Sequence, residues 1–466
     1  MAKEAPFDRS LASYALSKAK GVGASYADAT LDSREEQEYI LKQGSMDGAA
    51  KSATTGIRIR FIKNNYLYSM SLEKPTKEGV AKLFSKIDRF KKPGLAKLAE
   101  YEGKHSARYA VKEKEEPDSR EIIREFLQVD KAISKAKFIK FRYGDIGYEQ
   151  IKRHFENSDG SDIESTIANM GYFYSIVVGA NGTTRQRILQ DGACGGRELI
   201  DKFEIDKKVL EDAKNMKKVL ESGIEIHDLI KRVVISSEIV GIGIHESIGH
   251  PLEADRVLGR EAAQAGTSYL NTKNLDMRIG SDIVNIYDDP TIEGSNGFYL
   301  YDDEGVKARR KNLVTNGIQT ELLQNRETAA ALSTESNAAS RSSDIWYEPL
   351  VRMSNTILEP DKSNTFEDLL EEAKDGIYIK NFTEWNIDDT RTFSKYQGNE
   401  AYLIKNGRLD KPVKNFALES KTLDFWHAVK MVDKSFNLTV GNCGKGEPMQ
   451  GVPVSMGGPN ALLVFR

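Results

Sequence analysis

The sequence His245-Glu246-Ser247-Ile248-Gly249-His250 places two histidines five residues apart, with a glutamate beside the first. On a regular α-helix, residues five apart diverge by about 140° around the axis, whereas residues four apart lie within about 40° of each other. Two imidazoles that diverge this far cannot bind one ion. A π-bulge, which closes i to i+5, would bring them back to within roughly 50°. The spacing therefore constrains the helix as well as its chemistry.

The residues around the second histidine favour such a defect. Gly249, just before the second histidine, can adopt backbone conformations that other residues avoid. Pro251 has no N–H to return to the carbonyl of Ser247, and it disfavours the α conformation at His250. We therefore expect the helix to bulge or kink at Gly249–Pro251.

Two neighbouring imidazoles and a carboxylate are the components of a hydrolytic zinc site. The familiar arrangement is His-Glu-x-x-His on a helix. The alternative is a pair of hydrogen-bonded core histidines. The chain has only six histidines in 466 residues, so their pairing here favours a metal site. Glu246, adjacent to the first candidate ligand, is the natural base for a zinc-bound water.

A catalytic zinc ion normally has three protein ligands plus water, so one ligand is missing from this motif. Cys443 follows glycine and asparagine in a glycine-rich stretch, and its thiolate would bind zinc well. Its alternative role is that of a small buried residue. Sequence spacing does not choose among the candidates, which are Glu253, Asp255, His427, Cys443 and the rival cysteine Cys194.

The bulk composition limits the class of protein. A chain of 466 residues, 39% hydrophobic and 29% charged, is long enough for two or three globular domains. A net charge of −3 gives no bulk reason to bind nucleic acid or anionic lipid. Two cysteines cannot form a disulfide framework, which indicates a reducing compartment. Without an apolar N-terminal leader or a run of about eighteen apolar residues, we expect a cytoplasmic protein that crosses no membrane.

Hydrophobic periodicity predicts an α+β fold. We expect an N-terminal α/β part with mixed sheets and helices, followed by a strand-rich C-terminal domain that carries the metal-binding helix. The predicted units are 1–100, 101–225 and 226–466, with a charged, exposed linker over 102–118. Predicted helices cover residues 8–20, 75–90, 119–136 and 202–222. Predicted strands include 27–32, 38–41, 56–62 and 66–70, with a hairpin turn at Asn64-Asn65.

Several segments together resemble the TldD/PmbA family of zinc metallopeptidases, once described as modulators of DNA gyrase. The resemblance extends over the whole length of the chain. Its segments are HESIGHPLEAD at 245–255, YDDEG at 301–305, RMSNT at 352–356, NEAYLIKNG at 399–407 and GNCGKGEPMQGVPVSMGGP at 441–459.

The resemblance implies zinc bound by His245, His250 and Cys443, with Glu246 as the general base. It also implies an active, motif-retaining subunit like TldD, in a homodimer or a heterodimer with a metal-less family member. The implied substrates are short or unfolded peptides, cleaved with little sequence selectivity. Pro251 departs from the small flexible residue frequent at its position, and we expect it to stiffen the helix end without abolishing metal binding.

Several residues of the matching segments have alternative interpretations. Asp302, Asp303 and Glu304 could place acidic groups near the site, but an acidic turn between strands is the commoner role. Arg352 could pair with a peptide carboxylate, or it could be an exposed or structural arginine. The alternatives to a peptidase are a non-catalytic binding or regulatory protein of the gyrase-modulator type, and a structural zinc site. A structural site would need a closed fourth position and would leave Glu246 without a role.

Overall fold

The computed structural model describes residues 7–85, 87, 94–101, 104–115, 117–261, 263 and 265–465. Residues 1–6, where a leader would begin, lie outside these ranges. So do residues 86 and 88–90, at the end of the predicted helix over 75–90. None of the helices in the described ranges is long and apolar enough to cross a membrane. Helices and several sheets combine in a mixed α+β architecture, as predicted.

Seven strands of the N-terminal half form one sheet. They are β1 (Tyr26–Lys42), β2 (Ser45–Lys63), β3 (Tyr66–Glu73), β4 (Ser106–Val111), β5 (Ile139–Asn157), β6 (Asp162–Ala180) and β7 (Thr183–Cys194). The order is β3-β2-β1-β5-β6-β4, and β7 also pairs with β6. Asn64 and Asn65 adopt φ of 51° and 57° between β2 and β3, which confirms the predicted hairpin turn.

Helices cover this sheet and complete two cores. The first core uses α1 (Ser10–Gly21) and α2 (Lys77–Phe84), and the second uses α3 (Ser119–Ile133), α4 (Leu199–Phe203) and α5 (Ile205–Ser222). The predicted helices at 8–20, 119–136 and 202–222 are thereby confirmed, the last as two consecutive helices. Strands from residues 1–100 and from 101–225 share one sheet. The division into units ending at 100, 225 and 466 stays a prediction.

The predicted exposed linker over 102–118 is wrong in its middle. Residues Ser106–Val111 form β4, which runs parallel to β6 and alternates exposed with half-buried side chains. An edge strand needs only backbone pairing and one partly apolar face, so the surrounding charges hid it. The predicted strands at 27–32 and 38–41 are likewise one strand, β1, because its polar centre pairs on both sides with β2 and β5.

The C-terminal part contains two larger sheets and a short two-stranded one. Its strands are β8 (Arg232–Ile235), β9 (Ile286–Asp288), β10 (Lys311–Thr315), β11 (Ile318–Gln319), β12 (Ser340–Arg341), β13 (Leu350–Val351), β14 (Asn355–Leu358), β15 (Gly376–Ile387), β16 (Phe393–Lys405), β17 (Arg408–Val413), β18 (Ala417–Lys421), β19 (Val429–Val432), β20 (Asn437–Lys445), β21 (Gln450–Gly458) and β22 (Ala461–Val464). One sheet has the order β17-β16-β15-β8-β22-β19, with β18 on β16, and the other has β11-β10-β9-β14-β21-β20.

A short apolar helix lies between the two larger sheets. The helices of this part are α6 (Ser237–Ile244), α7 (Ala254–Val257), α8 (Arg326–Leu332), α9 (Phe366–Ala373) and α10 (Thr422–Ala428). Helix α6 follows β8 directly and contacts β14, β15, β20 and β21. A Cβ on Gly241 would lie 3.0 Å from the Met456 carbonyl oxygen, so glycine permits the close approach of α6 to β21. The strand-rich C-terminal part therefore encloses the helix that leads to the histidines.

Candidate metal centre

The chain continues from α6 into a π-turn over His245–Gly249 and then a 3₁₀ turn over His250–Leu252. This confirms the predicted bulge, which begins at the first histidine and ends in the 3₁₀ turn that contains Pro251. The two imidazole rings lie with centroids 4.8 Å apart and planes inclined by 78°. The π-turn therefore brings together two side chains that a regular helix would separate.

Side chains from distant elements hold the π-turn in place. Trp426 Nε1 donates to Ser247 Oγ (2.9 Å), which donates to the Gly243 carbonyl (2.6 Å). The Tyr269 hydroxyl donates to the Ser247 carbonyl (2.9 Å). These bonds provide partners for groups that the irregular turn leaves outside the ordinary helical pattern.

The histidines meet Cys443 on β20. Possible ligand atoms of His245, His250 and Cys443 all lie within 4.8 Å of one another, and Cys443 Sγ is 3.6 Å from His250 Nε2. All three residues are buried. Two imidazoles and one thiol are donors that zinc prefers, and three protein ligands leave a position open on a tetrahedral ion. His245 Nδ1 is buried without a hydrogen-bond partner among the described residues. The residues present therefore fit a zinc ion.

The local electrostatics favour the ligand forms of these side chains. Burial lowers the pKa of His245, which favours the neutral imidazole. Burial acts to raise the pKa of the Cys443 thiol, but the His250 ring and the Arg352 guanidinium lower it to about 7. A neutral imidazole and a readily formed thiolate are the states that bind metal.

Glu253 orients His250 rather than joining the cluster. Its carboxylate lies 3.1 Å from His250 Nδ1 and also accepts from Arg256 Nε (2.6 Å). Burial acts to raise the pKa of Glu253, yet Lys445 and the His250 ring hold it well below its usual range. A carboxylate bonded to the outer nitrogen fixes the imidazole tautomer and directs Nε2 toward the centre. Sequence reasoning considered Glu253 only as a ligand.

The remaining candidate ligands have other partners. Asp255 accepts from Lys445 Nζ (2.7 Å). His427 is exposed, with Nδ1 2.6 Å from the Leu423 carbonyl. Two acceptors, Asn169 Oδ1 and the Ser295 carbonyl oxygen, lie 3.1 Å from the Cys194 sulfur, which carries one S–H to donate. None of the three belongs to the ligand group that contains both motif histidines.

Glu246 follows the first histidine and is buried, and its carboxylate forms an ion pair with Arg391. Arg391 lies in the turn between β15 and β16, 145 residues further along the chain. No local pattern around position 391 pointed to this contact, so sequence reasoning missed it. The candidate base therefore sits beside the candidate ligands and faces a guanidinium.

The other residues considered from the sequence have structural contacts. Arg352 is buried and donates to the carbonyls of Gln450 and Cys443, which links the two strands of the β20–β21 hairpin. Asp303 is buried and pairs with Arg153 and Arg58. Burial acts to raise the pKa of Asp303, but these arginines lower it to about 2.

Asp302 accepts backbone N–H bonds from Glu304, Val306 and Ser340 at 2.9–3.1 Å. The two aspartates therefore form a hydrogen-bonded acidic turn.

A second group of possible ligands lies on the N-terminal sheet. His154, Glu156 and Asp162 approach one another there. Asp162 Oδ2 accepts from Arg108 (2.8 Å), and Glu156 accepts from Ser13 (2.7 Å). An ion pair and a hydrogen bond already engage the two carboxylates of this group, so the centre at the π-turn is the stronger candidate.

Comparison with known proteins identifies the family of this chain. A family model described as the PmbA/TldA metallopeptidase C-terminal domain matches residues 231–464. A metalloprotease from Methanocaldococcus jannaschii is 30% identical over 452 residues, which cover 93% of this chain and 94% of that protein. The chain belongs to the PmbA/TldD family. A zinc metalloprotease TldD homolog from Saccharolobus solfataricus is 32% identical to this chain over 229 residues, which cover 49% of each protein.

Solved structures of low sequence identity share the fold of this PmbA/TldD protein. A Thermotoga maritima protein named as a modulator of DNA gyrase has a TM-score of 0.75 at 18% identity, over 97% of each chain. TldE from Thermococcus kodakarensis has a TM-score of 0.73 at 16% identity, over 98% of each chain. With curated relatives named metalloproteases, the family assignment identifies the protein as a metallopeptidase.

Proposed function

We propose that this protein is a zinc peptidase in which His245, His250 and Cys443 hold the ion and Glu246 is the general base. The observation that carries the proposal is the meeting of these three donors, with Glu246 directly beside the first. When bound, zinc would polarise the scissile carbonyl and lower the pKa of a water molecule toward neutrality.

The protein's own residues would prepare the reaction around the ion. Glu253 orients the His250 ring, and the π-turn sets the angle between the two imidazoles. Glu246 would take the proton of the attacking water and pass it to the leaving amine. Burial of the centre excludes bulk water, which strengthens each of these electrostatic interactions.

The proposed substrates are short or unfolded peptides, cleaved with little sequence selectivity. The support is the burial of the centre, since His245, His250 and Cys443 are each at most 4% exposed. A folded domain could not bring its surface to such a site, which favours an extended chain as the substrate. The two cysteines are free and buried, which supports a reducing, cytoplasmic location.

We further propose that the working form is a dimer, either of this chain or with a metal-less family member. Trp385 and Phe393, on the β15–β16 hairpin, are 36% and 43% exposed, and a partner subunit would cover these two large apolar side chains. Analytical ultracentrifugation tests this proposal. A single species near the 52.1 kDa monomer mass, alone and with co-expressed family members, would contradict it.

The test of the peptidase proposal compares Glu246→Gln with Glu372→Gln, an exposed glutamate on α9. We expect the wild type to contain about one zinc per chain and to cleave a fluorogenic unfolded peptide. Glu246→Gln should retain zinc but lose activity by about 10²–10⁴-fold, because general-base catalysis contributes that much. Glu372→Gln should match the wild type. A wild type without zinc, or a Glu246→Gln variant of unchanged rate, would contradict the mechanism.

A further inference from the structure

Arg391 lies beside the proposed base, Glu246. It lies in the turn of residues 388–392 between β15 and β16, it is only 7% exposed, and its guanidinium pairs with Glu246. Its Nε is buried and has no hydrogen-bond partner among the described residues. A buried donor without a partner is costly, and this one lies beside the proposed base, where an atom of a bound substrate would satisfy it.

The backbone of the turn is built to hold this side chain. Arg391 adopts φ of 62°, a left-handed conformation that is strained for a residue other than glycine. The Asp388 carboxylate accepts from the backbone N–H groups of Thr392 (2.7 Å) and Phe393 (2.6 Å). Thr422 Oγ1 donates to the Arg391 carbonyl (2.6 Å). Such over-determined strain concentrates at functional sites.

We propose that Arg391 is a catalytic residue that binds the carbonyl oxygen of the scissile peptide bond as that oxygen acquires negative charge. This inference rests on the proposed peptidase function and adds a second electrophilic group to it. A preorganised, buried donor aimed at developing charge is one of the strongest devices in enzyme catalysis.

The charges balance through the step. As the oxygen of water bonds to the carbonyl carbon, its proton passes to Glu246 and the π electron pair moves to the carbonyl oxygen. Glu246 becomes neutral at the moment when the carbonyl oxygen becomes anionic, while Arg391 stays protonated. The guanidinium therefore keeps one anionic partner throughout, and the free Nε–H supplies the donor.

A carboxylate that the substrate already carries, such as its C-terminus, is a poorer ligand for Arg391. A peptide C-terminus on Arg391 would lie beside the ionised Glu246 carboxylate in the ground state, and two like charges in a buried site repel each other strongly. The oxygen of the reacting carbonyl is neutral on binding and becomes charged only when Glu246 has been neutralised. The geometry therefore favours stabilisation of the transition state over recognition of a terminal carboxylate.

The test uses Arg391→Met and Arg391→Lys in the full-length, zinc-loaded protein, with Arg408→Met as the matched control. Arg408 is an exposed arginine on β17. We expect Arg391→Met to lower kcat about 10²–10³-fold with little change in KM, the loss typical of removing one oxyanion donor. Arg391→Lys should recover part of this loss, and Arg408→Met should match the wild type.

A binding measurement separates catalysis from structure. A phosphinic peptide carries a charged, tetrahedral group in place of the scissile bond, and its affinity should fall at least about 30-fold in Arg391→Met. In the Glu246→Gln variant, adding Arg391→Met should change the affinity for the uncleaved peptide by no more than about 3-fold. Zinc content should not change in any variant.

Three outcomes would overturn the inference. Arg391→Met could keep the wild-type kcat, it could lose affinity for the phosphinic peptide and for the uncleaved peptide equally, or it could lose zinc. Either of the last two outcomes would make Arg391 structural. If instead the wild type itself cleaves no peptide, the proposed function fails. Wild-type cleavage with an unaffected Arg391→Met variant refutes only the role of Arg391.

Discussion

The sulfur atoms of Cys443 and Cys194 have different surroundings, although both residues are buried. Cys443 Sγ lies 3.6 Å from His250 Nε2, and its pKa is lowered to about 7 by the groups around it. The Cys194 sulfur lies 3.1 Å from each of two acceptor oxygen atoms, and burial raises its pKa to about 12. Only the first cysteine has the surroundings of a metal ligand.

Replacing each cysteine by serine uses this difference. We expect Cys443→Ser to lower zinc affinity by about 100-fold or more, since even the loss of an outer partner of a ligand costs 10–100-fold. Cys194→Ser should retain zinc, because Cys194 lies outside the ligand group and a serine hydroxyl can also donate to one of the two oxygen atoms there. Competition with a chelating dye measures both affinities. Equal zinc binding by Cys443→Ser and Cys194→Ser would remove Cys443 from the proposed ligand set.

Among individual residues, the sequence predicted those members of the candidate site that are close together along the chain. The five-residue spacing identified His245, His250 and Glu246 as one group. Cys443 lies 193 residues beyond His250, so only the pairing of distant strands brings it there, and residue spacing alone left it among several candidates. Arg391 depends on the conformation of one turn, which no periodicity encodes.

Among the secondary-structure elements, the π-turn depends on the glycine before the second histidine. A Cβ on Gly249 would lie 1.9 Å from Met353 Sδ, a distance that no real contact permits. Met353 is fully buried, so its side chain has little space in which to move. The π-turn and the segment before β14 therefore share one packing contact.

We expect Gly249→Ala to lower the free energy of unfolding by about 1–3 kcal/mol, the usual cost of overpacking a core. Met353→Ala alone should lose about 2–5 kcal/mol by leaving a cavity. The double variant should lose less than the sum, because the second change makes room for the first. Urea unfolding and zinc titration of all four proteins measure this coupling. Strict additivity would show that Met353 does not restrict residue 249.

Element prediction succeeded where periodicity was strong and failed where backbone pairing decided the structure. The amphipathic patterns of α1, α3 and α5 appear in the sequence, and so does the asparagine turn before β3. Strand β4 is short, half-exposed and surrounded by charges, so its pairing with β6 was invisible. The π-turn was predictable because metal chemistry and helix geometry together allowed few other solutions.

In the molecule as a whole, a buried charge network joins the N-terminal sheet to the C-terminal part. Arg60 on β2 is 1% exposed and binds Asp28 through two hydrogen bonds, of 2.8 and 3.1 Å. Its third nitrogen reaches Glu304 (3.3 Å) and Glu348 (2.9 Å), both in the C-terminal part. A guanidinium that joins three carboxylates in a buried interface makes the two parts depend on each other.

Arg60→Met should therefore destabilise the whole protein. Removing one partner of a buried ion pair typically costs 3–5 kcal/mol, because the Asp28 and Glu304 carboxylates left behind remain buried. The control is Arg309→Met, whose exposed pair with Glu321 (2.7 Å) should contribute at most about 1 kcal/mol. The urea midpoint should fall clearly only for Arg60→Met. Hydrogen exchange should then accelerate both in β2 and around Glu304, since each side of the interface loses the same partner. An Arg60→Met midpoint as close to the wild type as that of Arg309→Met would mean that apolar packing, and not this network, holds the parts together.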